Sequence, residues 1–155
     1  TTDGAVDEVE MVLGAGANAI TVLGSSPTET LNYFIAHCRE HGLISMIDML
    51  GVGDPLGVLL PLRVPPDVVV LHRGRDEENT RGKMIQYRHV NRIKSKYNVL
   101  LSAAGGVDLK EARSAIFNGA SIVVVNLVQP GDLWNGISTE SDVESIARQF
   151  LTTIE

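Results

Sequence analysis

Asp67-Val68-Val69-Val70-Leu71-His72-Arg73-Gly74-Arg75-Asp76 is the stretch on which the fold turns. The four apolar residues from Val68 to Leu71 follow one another without a break. A half-solvated strand would alternate apolar with polar residues. An unbroken run fits a strand covered on both faces, which belongs to a parallel sheet flanked by helices. A polar cluster, His72 to Asp76, follows at once. Parallel α/β folds bind ligands at the carboxyl ends of their strands, so these groups stand where such a fold would use them.

Reading outward, Ala19 to Leu23, Leu43 to Met49, Val99 to Ala104 and Ser121 to Val125 look like strands of the same kind. Helical patterns alternate with them. Residues 5 to 15 place Val6, Val9, Val12 and Leu13 on one face. Ser26-Pro27-Thr28-Glu29 opens a helix that Gly42 closes, and Leu56 to Leu60 suggests a short one stopped by Pro61. A long polar loop precedes a helix expected from about Lys83 to Lys96. Asp108 caps another, which ends at Asn118-Gly119, and the capping box Ser141-Asp142-Val143-Glu144 opens the last. Gly16-Ala17-Asn18-Ala19-Ile20 is echoed by Gly119-Ala120-Ser121-Ile122-Val123, the same helix-to-strand junction used twice. No linker interrupts the series, so residues 1–155 read as one domain or part of one. A doubly wound sheet could be complete with these five strands, whereas a (β/α)8 barrel would lack three; periodicity does not choose.

Composition narrows the function. The chain has 155 residues, 44% of them hydrophobic, and carries a net charge of -6, which argues against nucleic acid as a partner. The Lys and Arg residues between Arg81 and Lys96 scatter around a helix instead of forming a stripe. No apolar run is long enough to span a bilayer. The single cysteine, Cys38, allows no internal disulfide and points to a reducing compartment, the cytoplasm.

The strand ends hold the candidate chemistry. Asp48 lies among Met46, Ile47, Met49 and Leu50, where a carboxylate needs a partner: an internal arginine, a metal, or a role as acid or base. His72 exchanges protons near neutral pH, and one of Arg73 and Arg75 is expected to share its pocket. Gly105-Gly106 leads into the Asp108-capped helix, where backbone N–H groups can approach a phosphate or where the pair merely makes a tight turn. Asn126 follows Val123 to Val125. His37 and His41 share a helix face and could bind a metal, but the sequence offers no obvious third ligand. Cys38 reads as a packed thiol, and Trp134 as packing for the last helix or an interface.

Taken together, Met46-Ile47-Asp48-Met49-Leu50, Leu71-His72-Arg73-Gly74-Arg75-Asp76 and Ala103-Ala104-Gly105-Gly106-Val107 resemble, in order and spacing, the orotidine monophosphate decarboxylase superfamily. The branch most similar is 3-hexulose-6-phosphate synthase, especially the archaeal form fused to a formaldehyde-activating enzyme. Its sister is 3-keto-L-gulonate-6-phosphate decarboxylase. The resemblance implies a (β/α)8 TIM barrel of the ribulose-phosphate-binding type, with strands four to eight and their helices in this chain. The opening Thr1-Thr2-Asp3 resembles the tail of the family signature Asp-x-Lys-x-x-Asp. Asp3 would then reach across a dimer interface into the neighbour's site.

The resemblance further implies a Mg2+-stabilised enediolate. Ribulose 5-phosphate loses a proton and the enediolate adds to formaldehyde, or the hexulose phosphate is cleaved in reverse. By position, Asp48 would bind substrate hydroxyls near the metal, His72 would move the proton, and Arg75 would orient water or intermediate. Gly105 and Gly106 would bind phosphate. Relatives finish that site with glycine or arginine after strand eight; here Asn126 or the backbone stands there. The family's principal magnesium carboxylates and lysine are expected upstream of Thr1, so this chain alone is expected to catalyse little. A phosphate-binding or assembly remnant is the non-catalytic alternative. Open strand edges would favour a homodimer or association with the remaining barrel strands.

Overall fold

A computed structural model of the chain describes residues 3–154. The elements run α1 (Ala5–Gly14), β1 (Ala19–Leu23), α2 (Thr28–Glu40), β2 (Ile44–Asp48), α3 (Pro55–Leu59), β3 (Val68–His72), α4 (Arg75–Glu78), α5 (Arg88–Lys94), β4 (Leu100–Ala104), α6 (Leu109–Phe117), β5 (Ile122–Val123), β6 (Leu127–Val128), β7 (Ile137–Ser138) and α7 (Val143–Ile154). Strands β1 to β5 form one parallel sheet in the order of the chain. That order decides between the two architectures. A doubly wound sheet reverses direction at a switch point, and this one never does. Each crossover moves one strand over in the same sense, which is how a barrel wall is built. The molecule is an arc of a (β/α)8 barrel.

The two faces of the sheet differ as an arc requires. One face packs under helices: Ile47, Val69, Leu71, Leu101 and Ala103 meet Leu31, Phe34, Ile35 and Cys38 of α2, Val90 and Ile93 of α5, and Ala112 and Ala115 of α6. The other face, the barrel interior, carries a small cluster of Val68, Val70 and Ala104 with Met46 and Ile122 beside it. Toward its margins Leu23, Ile44, Leu100 and Val124 are exposed. In β3 both faces are buried, which is why its sequence runs apolar without alternation. Ser45, at the base of β2, is buried but donates from backbone N and Oγ to Asp67 Oδ2 at 2.8 and 2.7 Å, so this polar pair pins the start of β3.

Several expected boundaries shift. The polar loop after β3 contains a helical turn, α4, because Glu77 Oε2 accepts from Gly74 N at 3.0 Å and closes it. The helix expected from Lys83 begins only at Arg88, beyond the left-handed Gly82 with φ 84°. The strand expected over Ser121 to Val125 pairs only at Ile122–Val123. Beyond it, β6 and β7 form a separate parallel pair that the sequence does not suggest. The last helix is capped by Asp142, whose Oδ1 accepts from Ser145 N at 3.2 Å, one residue later than the expected Ser141. Thr1 and Thr2 lie outside the described residues.

Candidate active site

Register brings Asp48 and His72 together. Asp48 pairs with Val70 between β2 and β3, and His72 lies two residues further along, on the same face of the sheet. The result is a contact between neighbouring strand ends: His72 Nδ1 stands 2.8 Å from Asp48 Oδ2 and 3.1 Å from Oδ1. A carboxylate only accepts, so Nδ1 carries the hydrogen and Nε2 is left free for a ligand. Asp48 Oδ1 also accepts from Leu50 N at 2.9 Å, which fixes the carboxylate. The hydrogen bond to Asp48 raises the pKa of His72 above its ordinary 6.5; burial opposes this, and the charges of Asp48, Glu78 and Glu77 add to it. The sequence leaves Asp48's partner open between an arginine, a metal and catalytic use; the partner is the histidine.

Arg73 has a larger part than the sequence suggests. Its backbone N donates to Ala104 O at 3.0 Å, continuing the β3–β4 ladder by one residue. Its Nη2 donates to the carbonyls of Gly105 and Gly106, each at 3.0 Å, and Nη1 reaches Lys83 O at 3.4 Å. Both glycines are left-handed, at φ 94° and 60°. A Cβ on Gly105 would run into the Arg73 carbonyl, and one on Gly106 into the Arg73 guanidinium. So the Gly-Gly pair is needed for close approach to Arg73, and its carbonyls hold that side chain in place.

Arg75, by contrast, opens α4 and lies over the Trp134 ring at 5.6 Å, a cation–π contact. Asn135 N donates to Glu78 Oε2 at 3.2 Å, and Asn79 Nδ2 to Leu133 O at 3.5 Å. The segment between β6 and β7 therefore folds onto α4, and Trp134 belongs to that contact. Asn126 accepts from Ile137 N through its backbone oxygen at 2.8 Å. Asp3 accepts from Gly4 N at 2.8 Å and, with Tyr33, lines a groove separate from the His72 neighbourhood.

A cavity of about 250 Å³ lies beside His72, lined by Arg73, Glu77, Lys83, Gly51 and Arg88 among others. Met49 and Leu71 also line it, and both belong to the helix-side packing. The cavity thus sits between the strand ends and the outer helices, while Asp48 faces the open interior. His72 borders both.

Mg2+ takes oxygen ligands, commonly one or two carboxylates completed by substrate and water. Among the described residues Asp48 is the one carboxylate in contact with His72, and both its oxygens face that ring. Glu77 is engaged by Gly74 N and by Lys83 Nζ at 3.2 Å. The His/Cys/Asp/Glu trio close enough to share an ion, Glu10 with His37 and His41, lies on α1 and α2. The described residues do not by themselves fit a Mg2+ site.

No family model matches the sequence. A bifunctional Fae/Hps enzyme of Methanothrix thermoacetophila is 33% identical over 148 residues, covering 96% of this chain and 35% of the relative. The chain is a homologue of the Fae/Hps enzymes. It spans about a third of the length of these curated relatives. A 3-hexulose-6-phosphate synthase from Salmonella typhimurium superposes with a TM-score of 0.80 at 22% identity, covering 99% of this chain and 69% of the other. A 3-keto-L-gulonate-6-phosphate decarboxylase from Vibrio cholerae superposes at 0.68 with 20% identity over 99% and 68% of the two chains. These structures share the barrel fold, and the homologues are named as enzymes. Among the described residues no helix is long and apolar enough to cross a membrane.

Proposed function

We propose that the chain carries part of a phosphosugar aldolase site, which joins formaldehyde to ribulose 5-phosphate to give hexulose 6-phosphate, or cleaves the product in reverse. The observation that carries this reading is the His72–Asp48 pair at 2.8 Å on adjacent strand ends of a barrel arc. It agrees with homology to the Fae/Hps enzymes. In the proposed reaction His72 Nε2 removes a proton from C1 of the sugar, and the C–H electron pair passes into an enediolate. C1 then bonds to the formaldehyde carbon. The formaldehyde oxygen, gaining the electron pair of its C=O π bond, takes the proton back from His72. Asp48 holds the imidazole in the required tautomer and binds sugar hydroxyls. A raised pKa suits the abstraction step, because it makes His72 a stronger base than a free imidazole.

Other roles belong to the same proposal. Arg75 orients water or intermediate, and Gly105 and Gly106 present backbone N–H groups to the phosphate, with Asn126 beside them. Asp3 serves the site of a partner in a homodimer. Mg2+ is proposed for the complete barrel, with ligands beyond this chain's own donor set. The location proposed is the cytoplasm, from the lone Cys38.

Two other readings have support. Sister-decarboxylase chemistry is compatible with the same barrel, since the decarboxylase from Vibrio cholerae shares it. A phosphosugar-binding remnant is favoured by the single carboxylate beside His72. One experiment separates the three: the chain, alone and joined to the remaining barrel strands, is given 13C-formaldehyde, ribulose 5-phosphate and Mg2+ and followed by NMR. A new hydroxymethyl carbon that disappears in His72→Ala supports the aldolase. Release of CO2 in a parallel sample given 3-keto-L-gulonate 6-phosphate, without formaldehyde turnover in the first, supports the decarboxylase. Ribulose 5-phosphate binding without either reaction leaves the remnant.

A further inference from the structure

The strongest unassigned feature lies on the outer surface, between α1 and α2. Glu10 stands on α1, His37 on the last turn of α2, and His41 at its C-cap. Helical spacing of four puts the two imidazoles on one face, with ring centroids 4.6 Å apart. Glu10 Oε1 lies 3.0 Å from His37 Nε2 and 3.5 Å from His41 Nε2. The three ligand atoms all fall within 4.8 Å of one another. Tetrahedral zinc with N and O bonds of about 2.0–2.1 Å needs ligand atoms roughly 3.3 Å apart. The two contacts to Glu10 bracket that separation.

A fourth side chain completes the pattern. His37 Nδ1 lies 3.5 Å from Glu40 Oε2, on the ring edge opposite Glu10. An outer carboxylate there holds the hydrogen on Nδ1 and leaves Nε2 as the metal-facing nitrogen, as second-layer carboxylates do in zinc proteins. Cys38, between the two histidines in sequence, is fully buried, and desolvation pushes its thiol up to about 11. It packs into the core and does not compete for the ion.

We propose that Glu10, His37 and His41 form a binding site for zinc or a similar borderline divalent cation, clamping α1 onto α2 at a distance from the aldolase site. Two imidazoles against one carboxylate select such a metal over Mg2+. Water fills the remaining coordination position, since Glu10 and His41 are surface residues. The clamp holds the helix that leads into the barrel arc, and it is independent of whether His72 catalyses anything.

The test is zinc titration of the folded chain, without a histidine tag, against a chromophoric chelator. One zinc per chain is expected. Glu10→Gln and His41→Gln, both at exposed positions and checked for folding by circular dichroism, should weaken binding by more than tenfold, as losing an inner ligand costs more than the about tenfold expected of Glu40→Ala. Asp48→Asn should leave it unchanged, and Mg2+ in large excess should not displace the zinc. The proposal is overturned if the wild-type chain takes up no stoichiometric zinc. It is equally overturned if His41→Gln binds as tightly as wild type, or if zinc is lost with Asp48→Asn instead.

Discussion

Replacing Asp48 with asparagine should destabilise the protein in a pH-dependent way, and the structure sets both size and sign. The amide keeps the shape and can still accept a hydrogen bond, but it removes the charge 2.8 Å from His72 Nδ1. A charge-assisted hydrogen bond is worth about 1.5–3 kcal/mol when well shielded. Here the side chains of His72 and Asp48 are 29% and 16% exposed, so water screens part of the attraction. We expect about 1 kcal/mol. For a domain of this size that lowers Tm by roughly 2–4 °C. The sign follows from His72. Its folded pKa is raised above 6.5, so the stabilisation is complete below the unfolded value and is lost as pH rises through the folded one. Urea unfolding of wild type and Asp48→Asn near about pH 5.5 should show the full difference, and near about pH 9 a much smaller one. A difference that is equal at both pH values, or larger in base, would refute the ion-pair reasoning.

Other expectations rest on single observations. Gly105→Ala should cost on the order of 1–3 kcal/mol in chemical denaturation, because φ is 94° and the new Cβ meets the Arg73 backbone carbonyl. Arg73→Met should weaken ribulose 5-phosphate binding in titration calorimetry, since the carbonyls of Gly105 and Gly106 lose the guanidinium that positions them. Cys38, fully buried with its thiol at about 11, should resist a disulfide reagent in the native state and react at once in urea. Phe117→Ser should change stability by no more than about 0.5 kcal/mol, because that ring is 91% exposed.

The fold is largely legible because its strands are buried on both faces and its helices are not. Apolar runs alone give β1 at its observed ends and β3 to within one residue. Material held by contacts distant in sequence is what they miss. The pairing of Leu127–Val128 with Ile137–Ser138 has no apolar run of strand length to announce it. The turn Arg75–Glu78 looks like a polar loop until Glu77 is seen closing back on Gly74. The helix expected from Lys83 is overextended because the cationic residues up to Arg88 suit a helix face, yet Gly82 and the tie from Glu77 to Lys83 hold that segment in another path.

The site divides along the same line. Asp48 and His72 stand out individually, each a polar group at the end of an apolar run. Their contact depends on the β2–β3 register, in which Asp48 faces Val70 and not His72 itself. Arg73 is harder still. Its role requires knowing that His72 pairs with Ala104, so that the next residue on each strand is Arg73 on one and Gly105 on the other. Once that register is known, the Gly-Gly pair changes meaning. In sequence it is a phosphate cradle or a turn; in the structure its carbonyls hold an arginine whose neighbour in the chain is the catalytic candidate. The proposed phosphate binding at the N–H side of those glycines would then be linked to the placement of His72 through Arg73. A substrate that seats its phosphate there would press on the same residue that anchors the end of β3, which is a physical reason for Arg73 and His72 to be adjacent.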